Sequence, residues 1–115
     1  MSLTEQDSVL IAYILDAIEK IDSLAKAPDF KERFLTDWVT HDAVIRRLQT
    51  LAESSQRLSD AYKETQPEIP WKKISGFRNI LVHQYLGDID PEILWHVVSF
   101  ELPLLKESLT TDNPH

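Results

Sequence analysis

The chain has 115 residues, 43% of them apolar, with 2 glycines, no cysteine and a formal net charge of −7. That length fits one domain with a real core, and scarce glycine with prolines near segment edges favours helices over a turn-rich β fold. The missing cysteines exclude disulfides, thiolate metal sites and a thiol nucleophile. The acidic balance excludes nucleic-acid binding over a broad basic face, because phosphate neutralisation dominates such affinity.

The N-terminus carries neither a basic region nor a continuous apolar stretch, so no secretory signal is expected. No apolar run approaches the roughly 18 residues that would suggest a membrane span. A soluble cytoplasmic protein without a membrane contact is the expectation. Four helical segments are predicted. The first spans about Thr4 to Ala25, with Leu10, Ile11, Ile14, Leu15, Ile18, Ile21 and Leu24 at helical spacing. Thr4 followed by Asp7 resembles a capping box with the shorter acid, and Pro28 lies where the helix should stop.

Residues 29–38 read ambiguously; Phe30, Phe34 and Leu35 could dock a short helix on the core. The second long helix is predicted over about Thr40 to Lys63, with Ala43 or Val44, then Ile45, Leu48, Leu51, Ala52, Ser55, Leu58 and Tyr62 on one side. Pro67 and Pro70 make the next stretch a connector. The third helix starts near Trp71 and runs to about Tyr85, where Gly87-Asp88 breaks it. Asp90-Pro91 is a strong start for the fourth, with Asp as N-cap and Pro at the first helical position. That helix passes through Ile93, Leu94, Val97, Val98, Phe100 and Leu104 to about Leu109, kinked at Pro103. The sum is one all-α domain over residues 1–110, an antiparallel bundle of four to five helices, with 111–115 as a frayed tail and Thr110 at its edge.

The third helix carries Arg78-Asn79-Ile80-Leu81-Val82-His83-Gln84-Tyr85. Arginine can hold a phosphate in a bidentate fork, and histidine can move protons near neutral pH. At about 100° per residue, Ile74, Phe77, Ile80 and Leu81 fall within roughly 120° and form the core face. Lys72, Ser75, Arg78, Asn79 and His83 fall within another arc of roughly 140°, and Tyr85 lies about 20° from Arg78, two turns on. Val82 and Leu86 sit on the same polar side, where full exposure would be costly; a second helix, most economically from a two-fold partner, would cover them. Arg78 and His83 are about 7.5 Å apart along the axis, which suits convergence on a ligand. Asn79 is the i,i+4 neighbour of His83 and could orient the imidazole or bond a phosphate. Two readings stand on spacing alone: a phosphodiester site, or a surface arginine with an interface histidine.

The segment from Ile69 to Tyr85, with Pro70-Trp71 leading into Gly76-Phe77-Arg78-Asn79-Ile80-Leu81-Val82-His83-Gln84-Tyr85, resembles the HepT family of the HEPN superfamily. The stretch Asp42-Ala43-Val44-Ile45-Arg46-Arg47-Leu48 resembles that family's second long helix. The resemblance implies a homodimer, or a higher oligomer, whose motif helices face each other. It implies a metal-independent endoribonuclease acting as the toxin of a toxin–antitoxin pair, with a minimal nucleotidyltransferase (MNT) as antitoxin. Arg78, His83 and Asn79 then become catalytic, with Lys72, Ser75, Arg46 and Arg47 as candidate RNA-binding residues. Tyr85 matches the tyrosine that some family members have adenylylated by the antitoxin. No cofactor is expected, and no carboxylate–histidine cluster in the sequence argues for a metal. The competing reading is a non-catalytic helical module that binds the nucleotidyltransferase and presents a nucleotide or substrate to it. A third is a structural adaptor in which Arg78 and His83 only bridge protomers.

The remaining candidates have plainer readings beside the functional ones. His41-Asp42 could add an acid–base group, but capping by Asp42 or Thr40 is the simpler role. Arg46 and Arg47 could equally be solvated and ion-paired. His96, next to Trp95, reads as packing or interface, and His115 has no argument for function. Trp38, Trp71 and Trp95 could stack bases, yet most tryptophans in a small bundle are core or interface. Tyr85 unmodified could cap a dimer interface.

Overall fold

The computed structural model describes the backbone of residues 4–85 and 91–111, and the side chains of residues 4–81 and 92–110. The described residues form helices joined by short turns, without a strand: α1 (Glu5–Ala25), α2 (Phe30–Thr36), α3 (Trp38–Arg57), α4 (Asp60–Glu64), α5 (Trp71–Tyr85), α6 (Pro91–His96), a π-helical segment (Val97–Glu101) and α7 (Leu102–Thr111). Helix α3 packs against both α1 and α5, while α2 lies on α3 and α6.

The first helix follows its predicted stripe. Leu10, Ile11, Ile14, Ile18 and Ile21 are buried, Leu15 is half-buried, and Leu24 at the end is exposed. Thr4 caps the helix, its Oγ1 accepting from the Asp7 amide at 2.9 Å. The second half of the expected capping box takes another form. The buried Asp7 carboxylate reaches across the bundle to Ser59, accepting from its amide at 2.9 Å and from its hydroxyl at 2.6 Å. This bond ties the start of α1 to the end of α3.

The same contact explains why the second long helix is shorter than its periodicity suggests. The expectation of one helix over residues 40–63 is corrected to α3 and α4, separated at Leu58 and Ser59, whose backbones are extended (ψ 144° and 151°). Ser59 gives its amide to Asp7 and turns its Oγ to accept from Tyr62 N at 3.1 Å, so it serves as the N-cap of α4. Apolar spacing continues across the break: Leu58 and Tyr62 are both buried. A pattern of apolar positions cannot register a local change in backbone direction.

The start of α3 is also corrected. Its cap is neither Thr40 nor Asp42 but Asp37, which ends α2 and begins α3 in an extended conformation (φ −102°, ψ 111°). Asp37 Oδ1 accepts from the Val39 amide and Oδ2 from the Thr40 hydroxyl at 2.8 Å. The ambiguous stretch resolves as a short helix. Phe30 and Phe34 are buried, and both rings pack on Trp95, with centroids 5.5 and 5.9 Å away.

The C-terminal helix is interrupted rather than simply kinked. A π-helical turn over Val97–Glu101 precedes Pro103, with the Leu102 amide bonding to the Val97 carbonyl. Proline supplies no amide hydrogen and crowds the carbonyl four residues back, so the wider turn before it relieves that conflict. Leu94, Val97, Val98, Leu102, Leu105 and Leu109 are buried, while Ile93, Phe100 and Leu104 face outward. Helix α7 continues through Thr110 and Thr111; residues 112–115, His115 among them, lie outside the described residues. The predicted break at Gly87-Asp88, the Asp90 cap and the position of Leu86 also lie outside them. No helix among the described residues is long and apolar enough to cross a membrane.

Candidate functional site

Helix α5 spans Trp71–Tyr85, as the sequence indicates, and it is anchored on one side only. Ile74, Phe77 and Leu81 are buried, with 4%, 5% and 1% of their surface exposed, and Ile80 is half-buried against the same core. The opposite side carries Lys72, Arg78 and Asn79, all exposed, and Ser75, half-exposed. The predicted core face (Ile74, Phe77, Ile80, Leu81) and polar face (Lys72, Ser75, Arg78, Asn79) therefore hold where their side chains are described, whereas Trp71 packs on the core from the polar side and Lys73 is exposed on the core side. Val82, His83 and Tyr85 belong to the last turn and a half of α5, and their side chains lie outside the described residues.

The Arg78 guanidinium is held in place. Its Nη1 donates to the Gln56 side-chain carbonyl at 3.2 Å, and the Gln56 amide nitrogen donates in turn to the Ser75 carbonyl at 3.1 Å. One glutamine from the end of α3 thus bonds both a side chain and the backbone of α5. Guanidinium has five N–H donors in a planar fork, so one bond to Gln56 restrains it and leaves a face for an oxyanion. Gln56 is a residue that sequence reasoning missed. It lies 19 and 22 positions from its two partners, and nothing in its local context marks it out.

The charge of α5 is unlike that of the chain. Residues 71–85 contain Lys72, Lys73 and Arg78 and neither Asp nor Glu, within a protein of net charge −7. Lys73 turns away from the polar face and pairs with Glu101 of the π-helical segment. Lys72 and Arg78 are left as the cations of its polar face, a small basic locus in an acidic body.

A cavity of about 550 Å³ lies on the other side of α5, lined by Ile74, Phe77, Phe100, Leu104 and Glu107 among others. It includes neither Arg78 nor Asn79, so this cavity and the polar face of α5 are separate features. Among the described residues, no group of three or more His, Asp or Glu side chains is placed to hold a metal ion.

The family described as "Ribonuclease HepT-like" matches residues 14–111, which include the whole of α5. The chain belongs to the HepT-like ribonuclease family. It is 34% identical to "Putative RNase MJ1380" of Methanocaldococcus jannaschii, across 84% of this chain and 86% of that protein. It is 38% identical to "Probable ribonuclease HepT" of Thermococcus cleftensis, across 81% of this chain and 83% of that protein. A third relative, "Gamma-glutamylcyclotransferase and putative RNase MJ0434" of M. jannaschii, is 34% identical across 88% of this chain but only 45% of its own length. No solved structure matches the chain significantly.

Within this HepT-like fold, the other candidates separate by environment. Arg46 is exposed and Arg47 half-buried, and as neighbours on α3 they point about 100° apart, so they do not share one face. His41 is a packing residue: its Nδ1 donates to the Phe34 carbonyl at 3.2 Å and its ring lies 5.0 Å from that of Phe34. Trp71 donates from Nε1 to the Gln66 carbonyl at 3.1 Å and meets Tyr62 edge-on. Trp95 joins the Phe30–Phe34 cluster. Trp38 is not part of the core, being 73% exposed at the start of α3. His96 is exposed and stacks on Phe100 at 5.2 Å.

Proposed function

We propose that the polar face of α5 is a metal-independent endoribonuclease site and that the protein is the toxin of a toxin–antitoxin pair. The observation that carries this reading is the placement of Arg78 and Asn79 outward on an acid-free helix whose other side buries Ile74, Phe77 and Leu81, with His83 further along the same helix. Membership of a ribonuclease family supports it.

The chemistry follows from the groups available. RNA carries its own nucleophile. The 2′-oxygen attacks the neighbouring phosphorus, forming a 2′-O–P bond as the P–O5′ bond breaks. The products are a cyclic phosphate and a free 5′-hydroxyl. One imidazole takes the 2′ proton and another gives a proton to the departing 5′-oxygen. Two His83 side chains, one from each protomer of a homodimer with facing α5 helices, would supply both roles. Arg78 stabilises the charge that builds on the non-bridging oxygens, and its bond to Gln56 fixes it beforehand. Asn79 positions the phosphate, while Lys72, with Ser75 and Arg46 or Arg47, extends the contact along the RNA. DNA lacks the nucleophile and is not cut.

Silencing follows the same electrostatics. A nucleotidyltransferase antitoxin adenylylates Tyr85, which lies on the Arg78 side of the helix, two turns on. The added phosphate and nucleoside bring bulk and negative charge beside Arg78 and exclude RNA.

The test is RNA cleavage in EDTA by the purified protein and by His83→Ala, with the intact mass of each recorded. Cleavage by the wild type alone is the expected result. Undiminished cleavage by His83→Ala would remove histidine from the mechanism. An inactive wild type of unmodified mass would favour the binding module that presents a nucleotide or substrate to a nucleotidyltransferase. An inactive wild type heavier by adenylyl steps would be the silenced toxin.

A further inference from the structure

Gly76 sits in the middle of α5, two residues before Arg78. Glycine is the costliest residue after proline in a helix interior, because it has the most backbone freedom to lose. The described residues offer no compensation for it. Among the described residues nothing lies within 4 Å of a Cβ built at Gly76, so an alanine would fit and would favour the helix. Its backbone does not adopt the left-handed conformation that calls for glycine. With nothing among the described residues that calls for a glycine here, its outer side is the place to look for the reason.

At about 100° per residue, Lys72, Gly76, Asn79 and His83 lie within roughly 60° of one another, in successive turns. Gly76 is therefore the one position in this stripe where an approaching group meets backbone instead of a side chain. We propose that Gly76 is the close-approach point for the sugar-phosphate backbone of single-stranded RNA, letting the strand lie against α5 between Lys72 and Asn79 with its phosphate within reach of Arg78. The proposal rests on the ribonuclease reading of the site and adds where the strand runs.

The alternative occupant is the same helix of a second copy. Charge argues against it at this point. The N-terminal half of α5 carries Lys72 and Arg78 and no acid, so two copies crossing at Gly76 would bring like charges together. The apolar Val82 and Leu86 that would suit a two-fold contact occur only beyond Leu81. RNA phosphate matches the cationic half, and a protein contact matches the apolar half.

The experiment uses the full chain and Gly76→Ala. It measures thermal unfolding, mass by light scattering, cleavage of a fluorescein-labelled single-stranded RNA, and binding of the 2′-O-methyl form of that RNA, which lacks the nucleophile. The expected variant has an unchanged mass and a melting temperature unchanged or raised by roughly 2–5 °C. Its cleavage rate and its affinity for the 2′-O-methyl RNA both fall about tenfold or more. Cutting and binding equal to wild type would overturn the proposal. So would a lower melting temperature, which would give Gly76 to the fold, or a change in mass, which would give it to a contact between copies. If wild type cuts nothing yet binds the 2′-O-methyl RNA more tightly than the variant, the nuclease reading fails and the RNA track along Gly76 stands.

Discussion

Gln56 and Arg78 are joined by a 3.2 Å hydrogen bond between the end of α3 and the exposed face of α5. The bond does little for stability, since both residues are exposed and the Ser75 carbonyl that Gln56 also reaches is already within a helix. Its effect is to hold the guanidinium in one orientation. Gln56→Ala should therefore leave unfolding within about 0.5 kcal/mol of wild type while lowering RNA cleavage roughly three- to thirty-fold. Gln56→Glu should be the more harmful change, because a carboxylate on Arg78 competes with the phosphate for the same charge. Denaturant midpoints measured beside initial cleavage rates check both; an unaltered rate in the two variants would leave Gln56 with no part in positioning Arg78.

Arg78→Lys separates charge from geometry. Lysine keeps the positive charge but presents a point donor, where guanidinium offers a planar fork able to bond Gln56 and an oxyanion together. Cleavage should fall about ten- to a hundred-fold, with the salt dependence of RNA binding nearly unchanged, since that slope reports the number of phosphates neutralised. A lysine variant as active as wild type would reduce Arg78 to a source of charge.

The fold and the motif helix were legible because both rest on apolar periodicity. The stripe from Leu10 to Ile21 and the division of α5 into Ile74, Phe77 and Leu81 against Lys72, Arg78 and Asn79 follow from one repeat. The misread points are those where a polar side chain overrides the repeat. Asp37 starts α3 earlier than Thr40 or Asp42 would, and Ser59 splits α3 from α4 although Leu58 and Tyr62 keep the apolar spacing. Gln56 was invisible because its partners are set by how two helices meet. The exposed Phe100 and Leu104 reflect a π-helical turn that shifts register, which no fixed period anticipates.

Phe34 and Trp38 stand four residues apart in sequence and at opposite extremes of burial, 0% and 73% exposed. Phe34 fills the space between His41 and Trp95. Phe34→Ala should cost about 3–5 kcal/mol, through lost burial and the cavity left behind. Trp38→Ala should change stability by no more than about 0.5 kcal/mol. Urea unfolding of the pair checks the contrast, and a loss above about 1.5 kcal/mol for the tryptophan variant would mean that its ring is packed in solution.

Asp7 gives the clearest dependence on pH. Burial alone would raise its pKa, but bonds from the Ser59 hydroxyl and amide, from Thr4, and the nearby Lys63 charge outweigh that and hold it below the ordinary 3.8. A carboxyl whose folded pKa is depressed adds stability above its unfolded pKa, and the contribution is lost as pH falls through the folded value. Asp7→Asn cannot titrate and weakens both bonds to Ser59. At neutral pH it should be less stable than wild type by about 1.5–3 kcal/mol, the range for hydrogen bonds to a charged group. As pH falls from the ordinary 3.8 through the lower folded value the wild type protonates the same carboxyl, so the gap between the two urea midpoints should narrow steadily. A gap that stayed constant across that range would mean that folding does not lower the Asp7 pKa.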